Sequence, residues 1–173
     1  MKKSYIFAAL VIILAFGAGV YVTKKDADAP GTNNTATTSG TTPTSATSGG
    51  VIADYSNKQL TSFPKDVLSK TNTTSLLLSN NSLTGSLPSE IQKLTKLEVL
   101  DVSNNQMTGI PAEVGQLRYL RILNYANNNI TGLPNELGKL QSLQTLDLRG
   151  NNVSMQDLNK IKAELPSSTN ILL

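Results

Sequence analysis

The 173-residue chain contains no cysteine, no histidine and no tryptophan. Without histidine there is no Ser-His or Cys-His relay and no imidazole metal ligand. Without cysteine there is no thiolate nucleophile, zinc knuckle, iron–sulfur cluster or disulfide, and no residue to carry the lipid of a bacterial lipoprotein. No Gly-rich phosphate loop occurs; the Gly49-Gly50 pair closes a linker. Charge of one sign is also scarce. Residues 51–173 hold 11 Lys/Arg against 10 Asp/Glu, a net of +1. That is no electrostatic footprint for nucleic acid, although the whole-chain net charge is +3. The expectation is a non-catalytic protein with no metal, no cofactor and no nucleic-acid partner.

One long apolar run is present. Residues 4–23 carry no charge and are bracketed by Lys2, Lys3, Lys24 and Lys25. As a helix they span about 30 Å, the thickness of a bilayer core. Two readings stand. One is an uncleaved signal anchor. The other is a cleaved signal peptide with an h-region at 6–14 and a small-residue site near Gly17-Ala18-Gly19. Val20, Tyr21 and Val22 continue the run past that site, which favours the anchor. The expected segments are a transmembrane helix at 1–25, a linker at 26–50 and a folded domain at 51–173. Of the 21 residues from 30 to 50, 11 are Ser or Thr, four are Gly and two are Pro, with no charge. Such a stretch buries too little to offset its ordering entropy and reads as a disordered stalk. The expected location is the cytoplasmic membrane, single-pass with the folded domain outside, or secreted if the run is cleaved.

Residues 51–173 repeat. The pattern apolar-x-x-apolar-x-apolar-x-x-Asn occurs as Leu97, Leu100, Val102, Asn105, then as Leu120, Leu123, Tyr125, Asn128, then as Leu143, Leu146, Leu148, Asn151. An earlier copy has Leu76, Leu78 and Asn81, and a degenerate first copy has Ala53, Tyr55 and Lys58. The ninth positions are spaced by 23, 24, 23 and 23 residues. The second half of each unit is SFPKDV, SLPSEI, GIPAEV or GLPNEL. Alternation in the first half predicts a short strand with its apolar residues turned into a core. Pro followed by an acid predicts the start of a helical turn, with Pro at the first helical position. The Asn donates and accepts through its amide, so Asn81, Asn105, Asn128 and Asn151 are expected to form a structural ladder between turns.

These residues resemble the leucine-rich repeat family: the core stands as LEVLDVSNN, LRILNYANN and LQTLDLRGN. The LPxE(I/L) halves are similar to the typical 23-residue class, bacterial in appearance, and LTGSLPSEI is similar to the plant-type class. The resemblance implies an α/β fold: a curved solenoid of about five repeats, with parallel strands on the concave side and short helices or turns outside. It also implies protein or peptide binding. At the end, Ser154 to Asp157 reads as a capping box, with Val153 and Leu158 as a hydrophobic staple. A C-terminal cap is therefore expected over 152–173, with a last strand at 170–173. The edge at Val51-Ile52-Ala53 has no comparable cover.

On the concave side, Leu77, Val99 and Ile122 are expected to form an apolar patch bordered by Asp101, Asn124, Asp147 and Arg149. An apolar centre with a polar rim is the anatomy of a contact surface. Five such short strands offer roughly 300 Å² of face, below the ~800 Å² per partner of a standard interface, so a peptide segment or a weak partner is expected. Asp54, Asp101 and Asp147 share one column, but Leu77 and Asn124 separate them, which argues against a cation site. The five Asn-x-Ser/Thr sequons follow from the Asn and Thr content of the turns. Two alternatives stand beside binding: a structural surface spacer, and a glycan-binding protein. The latter needs an exposed aromatic, and the regular repeats hold only Tyr119 and Tyr125, of which Tyr125 is expected in the core.

Overall fold

The computed structural model describes residues 50–173. The anchor, the cleavage site and the stalk over 26–49 lie outside the described residues. Among the described residues no helix is long and apolar enough to cross a membrane.

Each repeat contributes one short strand to a parallel sheet. The strands are β1 (Val51–Asp54), β2 (Thr73–Leu77), β4 (Val99–Asp101), β6 (Ile122–Asn124), β7 (Thr145–Asp147) and β8 (Asn170–Leu172), paired in that order. Leu76, Leu100, Leu123 and Leu146 stand opposite one another in register and are fully buried. Leu78, Val102, Tyr125 and Leu148 continue the core behind them. Burying each such side chain contributes about 1.5–3 kcal/mol. The Tyr125 ring fills its column, but its hydroxyl has no hydrogen-bond partner, and burial pushes its pKa up.

The outer layer consists of four 3-10 helices: Lys65–Ser69, Ser89–Lys93, Ala112–Gln116 and Asn135–Lys139. Each starts one residue after its proline. Pro64, Pro88, Pro111 and Pro134 have extended ψ and sit just before the helix rather than in its first position. Each proline carbonyl accepts from the N–H three residues on, at 3.0–3.2 Å. That N–H belongs to Val67, Ile91, Val114 or Leu137, whose side chain turns into the core. The turns nest tightly toward the C-terminus. A Cβ on Gly115 would lie 2.2 Å from the backbone oxygen of Glu136, and one on Gly138 would lie 2.6 Å from the Glu164 carboxylate. The matching positions in the two earlier turns are Leu68 and Gln92.

The Asn ladder joins each repeat to the one before it. Asn105 Nδ2 donates to the carbonyls of Leu78 (3.0 Å), Val102 (3.0 Å) and Ser103 (3.1 Å), while its Oδ1 accepts from Leu83 N–H (3.0 Å). Asn128 repeats this with Val102, Tyr125 and Ala126, and accepts from Met107 N–H (2.9 Å). Both side chains are buried and fully used. Asn151 does the same at the C-terminal end, accepting from Ile130 N–H. The ladder begins at Asn81, whose Oδ1 accepts from the backbones of Lys58 and Leu60. Lys58 itself is exposed.

Two features are additions to the expected architecture. The residue before each ladder position, Asn57, Asn80, Asn104 and Asn127, lies at φ of 55–57°, and Gly150 takes that place at φ 70°. Asn tolerates this left-handed region better than most side chains. A second parallel pair, β3 (Thr84–Gly85) with β5 (Gln106–Met107), forms beside the 24-residue unit.

The two ends of the stack are built differently. At the C-terminus, α1 (Met155–Glu164) buries Leu158 and Ile161, Leu165 is buried just beyond, and Pro166 follows. Ser154 Oγ accepts from Asp157 N–H at 3.3 Å, but the reciprocal half of the capping box is absent. Ser154 N–H instead donates to Thr131 O (2.7 Å), and the Asp157 carboxylate faces Leu133 N–H (3.4 Å) and Lys160 (3.9 Å). At the N-terminus β1 is an edge, with Ile52 63% exposed. Tyr55, Leu60, Phe63 and Leu68 there are only partly buried. A small network holds that end: Tyr55 donates to Asp66, and Lys70 Nζ donates to both, at 3.0 Å.

Candidate functional site

The open face of the sheet is a stack of rows, because every strand repeats the same register. One row runs Ile52, Ser75, Val99, Ile122, Thr145, Asn170. The next runs Asp54, Leu77, Asp101, Asn124, Asp147, Leu172. Val99 and Ile122 are therefore direct neighbours, both half-buried, with hydroxyls of Ser75 and Thr145 on either side. Leu77 stands in the other row, directly beside Asp101 and diagonal to Val99. The apolar surface is thus a two-residue step with Leu77 set off by one row.

The polar residues of the second row have local tasks. Asp101 Oδ1 accepts from the Ser103 N–H (3.0 Å) and hydroxyl (2.7 Å). Asn124 Oδ1 accepts from Ala126 N–H (3.0 Å), and Asp54 Oδ1 from Ser56 N–H (2.9 Å). These are side-chain turns that end each strand, a role Asp and Asn are suited to. Asp147 is the most committed. It is 6% exposed, accepts from Arg149 N–H (3.1 Å) and meets the Arg149 guanidinium at 2.6 Å. Those bonds raise the Arg149 pKa further, so it is a fixed cation at the end of the row. Arg149 stays half-exposed, whereas Asp147 presents little of itself to a partner. The Asp or Asn three residues before the Asn or Gly at positive φ, at 54, 101, 124 and 147, was the available signal for these turns.

Among the described residues no group of three or more acidic side chains converges as a metal site would require.

The family model of the leucine-rich repeat region matches residues 75–165, more than half of the chain. The chain belongs to the leucine-rich repeat family. Its repeats are similar to a solved leucine-rich repeat protein of Leptospira interrogans, at 36% identity and a TM-score of 0.62 over 66% of this chain. They also resemble the plant peptide hormone receptor RGFR1, solved with RGF2, at 34% identity and a TM-score of 0.50 over 53% of this chain. A third likeness is to the BIR3–SERK2 complex of Arabidopsis thaliana, at 32% identity and a TM-score of 0.56 over 60% of this chain. The matched part is 29% of the Leptospira chain, 15% of the hormone receptor and 57% of the third chain. No curated protein matches in sequence. The parallel strands with turns between them expected from the LxxLxLxxN core are present.

Proposed function

We propose that this leucine-rich repeat domain is a non-catalytic module that binds a protein or peptide segment on the open face of its sheet, centred on Val99 and Ile122. The observation that carries the reading is this apolar step in the middle strands, flanked by hydroxyls and bordered by Asp101, Asn124 and Arg149. Leu77 and the fixed Arg149 cation flank the step on opposite sides and give the face a direction. Solved relatives captured as complexes, a plant peptide hormone receptor with RGF2 and BIR3 with SERK2, support the same use of the fold. The apolar run at 4–23 and the Ser/Thr-rich stalk support a tether that holds the domain outside the cytoplasmic membrane of a bacterium. Under this reading the protein stays in the membrane fraction after carbonate wash, and protease added to spheroplasts removes the repeats.

The binding half is tested by the double substitution Val99→Glu with Ile122→Glu in the full-length chain. Both side chains are half-exposed, so the melting transition is expected to stay nearly unchanged while capture of the partner pulled down from crosslinked cells is abolished. Capture that survives this change but is lost on altering Glu113 and Glu136, on the opposite side, overturns the assignment.

A further inference from the structure

Beside the Val99–Ile122 step, a shallow cleft of about 520 Å³ opens where the chain leads into β4, β6, β7 and β8. Its size lies within the ~300–1,000 Å³ of ordinary small-molecule sites. Tyr119 stands on its wall and is 63% exposed, the only aromatic among the exposed large apolar side chains of the described residues. The matching positions in the neighbouring repeats are Lys96 and Ser142, so the repeat itself does not call for a ring there.

Most of the rest of the wall is polar, with Leu143 and Pro166 as its aliphatic members. Glu98, Arg121 and Gln144 occupy one position in three successive repeats, about 4.8 Å apart across the strands. They hold one another: Arg121 lies 3.8 Å from Glu98 and donates to Gln144 Oε1 at 3.4 Å. Gln141 is fixed by donation to the carbonyls of Gly138 (3.0 Å) and Glu164 (3.2 Å), and Ser142 by donation to Arg118 O (2.7 Å). A wall fixed in advance loses less entropy when a ligand arrives.

We propose that this cleft is a saccharide subsite, taking a neutral pyranose unit that lies on the Tyr119 ring with its hydroxyls toward Glu98, Arg121 and Gln144. A carboxylate accepts, a guanidinium donates and an amide does both, which suits hydroxyls that donate and accept in turn. Glu98 and Arg121 compensate one another, so the wall offers no net charge to an ionic ligand. An apolar peptide side chain finds no pocket, because Leu143 is 1% exposed and the remaining aliphatic lining is Pro166. An amphipathic ring such as Tyr offers the C–H face of a sugar a flat apolar surface beside these polar groups.

The test is titration of the full-length protein with maltohexaose, cellohexaose, chitohexaose and mannohexaose, followed by saturation-transfer NMR. One of the four is expected to bind with a dissociation constant of about a millimolar or tighter. Tyr119→Ala weakens it at least about tenfold, Tyr119→Trp keeps it, and Gln144→Ala weakens it to a lesser degree. The proposal is overturned if none of the four binds, or if Tyr119→Ala binds as the parent does. It is equally overturned if Tyr119→Ala abolishes capture of the protein partner without any change in saccharide binding, for the cleft then belongs to the protein site.

Discussion

The two ends of the repeat stack solve one problem with unequal means. Stacked repeats bury one another, but a terminal repeat has a neighbour on one side only. At the C-terminus a ten-residue helix with Leu158 and Ile161 buried, and a last strand at Asn170–Leu172, close the core. At the N-terminus Lys58 stands where the ladder has Asn, Leu60 and Phe63 are half-buried, and β1 is the end strand among the described residues. The difference teaches that sealing comes from added elements, not from the repeat itself. Opening of the native structure is then expected to begin at residues 51–70 and to reach the C-terminal cap last.

The sharpest test of this asymmetry compares two truncations. Ile161→Ala removes a fully buried side chain from the cap and is expected to cost about 2–5 kcal/mol. Leu60→Ala, at the half-buried end, is expected to cost less than half as much. Equal costs in denaturant melts of the full chain would mean that the N-terminal end is as well sealed as the other. A smaller effect separates the ladder from its missing rung. Asn105→Ala strands buried backbone groups of Leu78, Val102 and Leu83 and is expected to cost about 1–3 kcal/mol. Lys58→Ala removes an exposed side chain and is expected to change stability by less than about 0.5 kcal/mol. Comparable losses at 58 and 105 would break the claim that the ladder starts at Asn81.

The smallest effect concerns the Tyr55–Asp66–Lys70 network. The bond from Tyr55, then that from Lys70, holds the Asp66 pKa below its ordinary 3.8. A carboxylate with a lowered pKa adds stability above its unfolded pKa and loses it as pH falls through the folded value. The contribution of this surface group is therefore present at neutral pH and lost below about pH 4. Asp66→Asn should make hydrogen exchange at residues 51–70 somewhat faster at pH 7 and leave it unchanged well below pH 3. A difference from the parent that persists at the lowest pH would show that the carboxylate's charge is not what ties that end.

The repeat was legible because each of its parts answers to one local rule. Alternation placed Leu100 and Val102 inward, the amide of Asn105 implied bonds to two turns, and the altered last unit announced its cap. What stayed hidden were commitments that depend on distance. Asp101, Asn124 and Asp147 read as a polar border, since alternation assigns a side chain to a face without saying what it bonds there. Their oxygens accept from N–H groups two residues on, and Asp147 is closed over by Arg149. The prolines were placed one position too far into the turn for the same reason: the carbonyl that accepts the first bond is invisible in the spacing. The cleft beside Tyr119 joins residues from three repeats and the C-terminal cap, and a one-repeat pattern carries no trace of it.

Gly115 and Gly138 have a consequence for shape. The strands keep a fixed separation of about 4.8 Å, so the bend of the whole ribbon is set by how far apart the turns sit on the other side. Where a Cβ would strike the next turn at 2.2 Å, nothing larger than hydrogen fits between the two turns. Leu68 and Gln92 hold the same position in the two earlier turns. The two glycines thus work as a dial: filling them would spread the outer layer and draw the two ends of the open face toward each other.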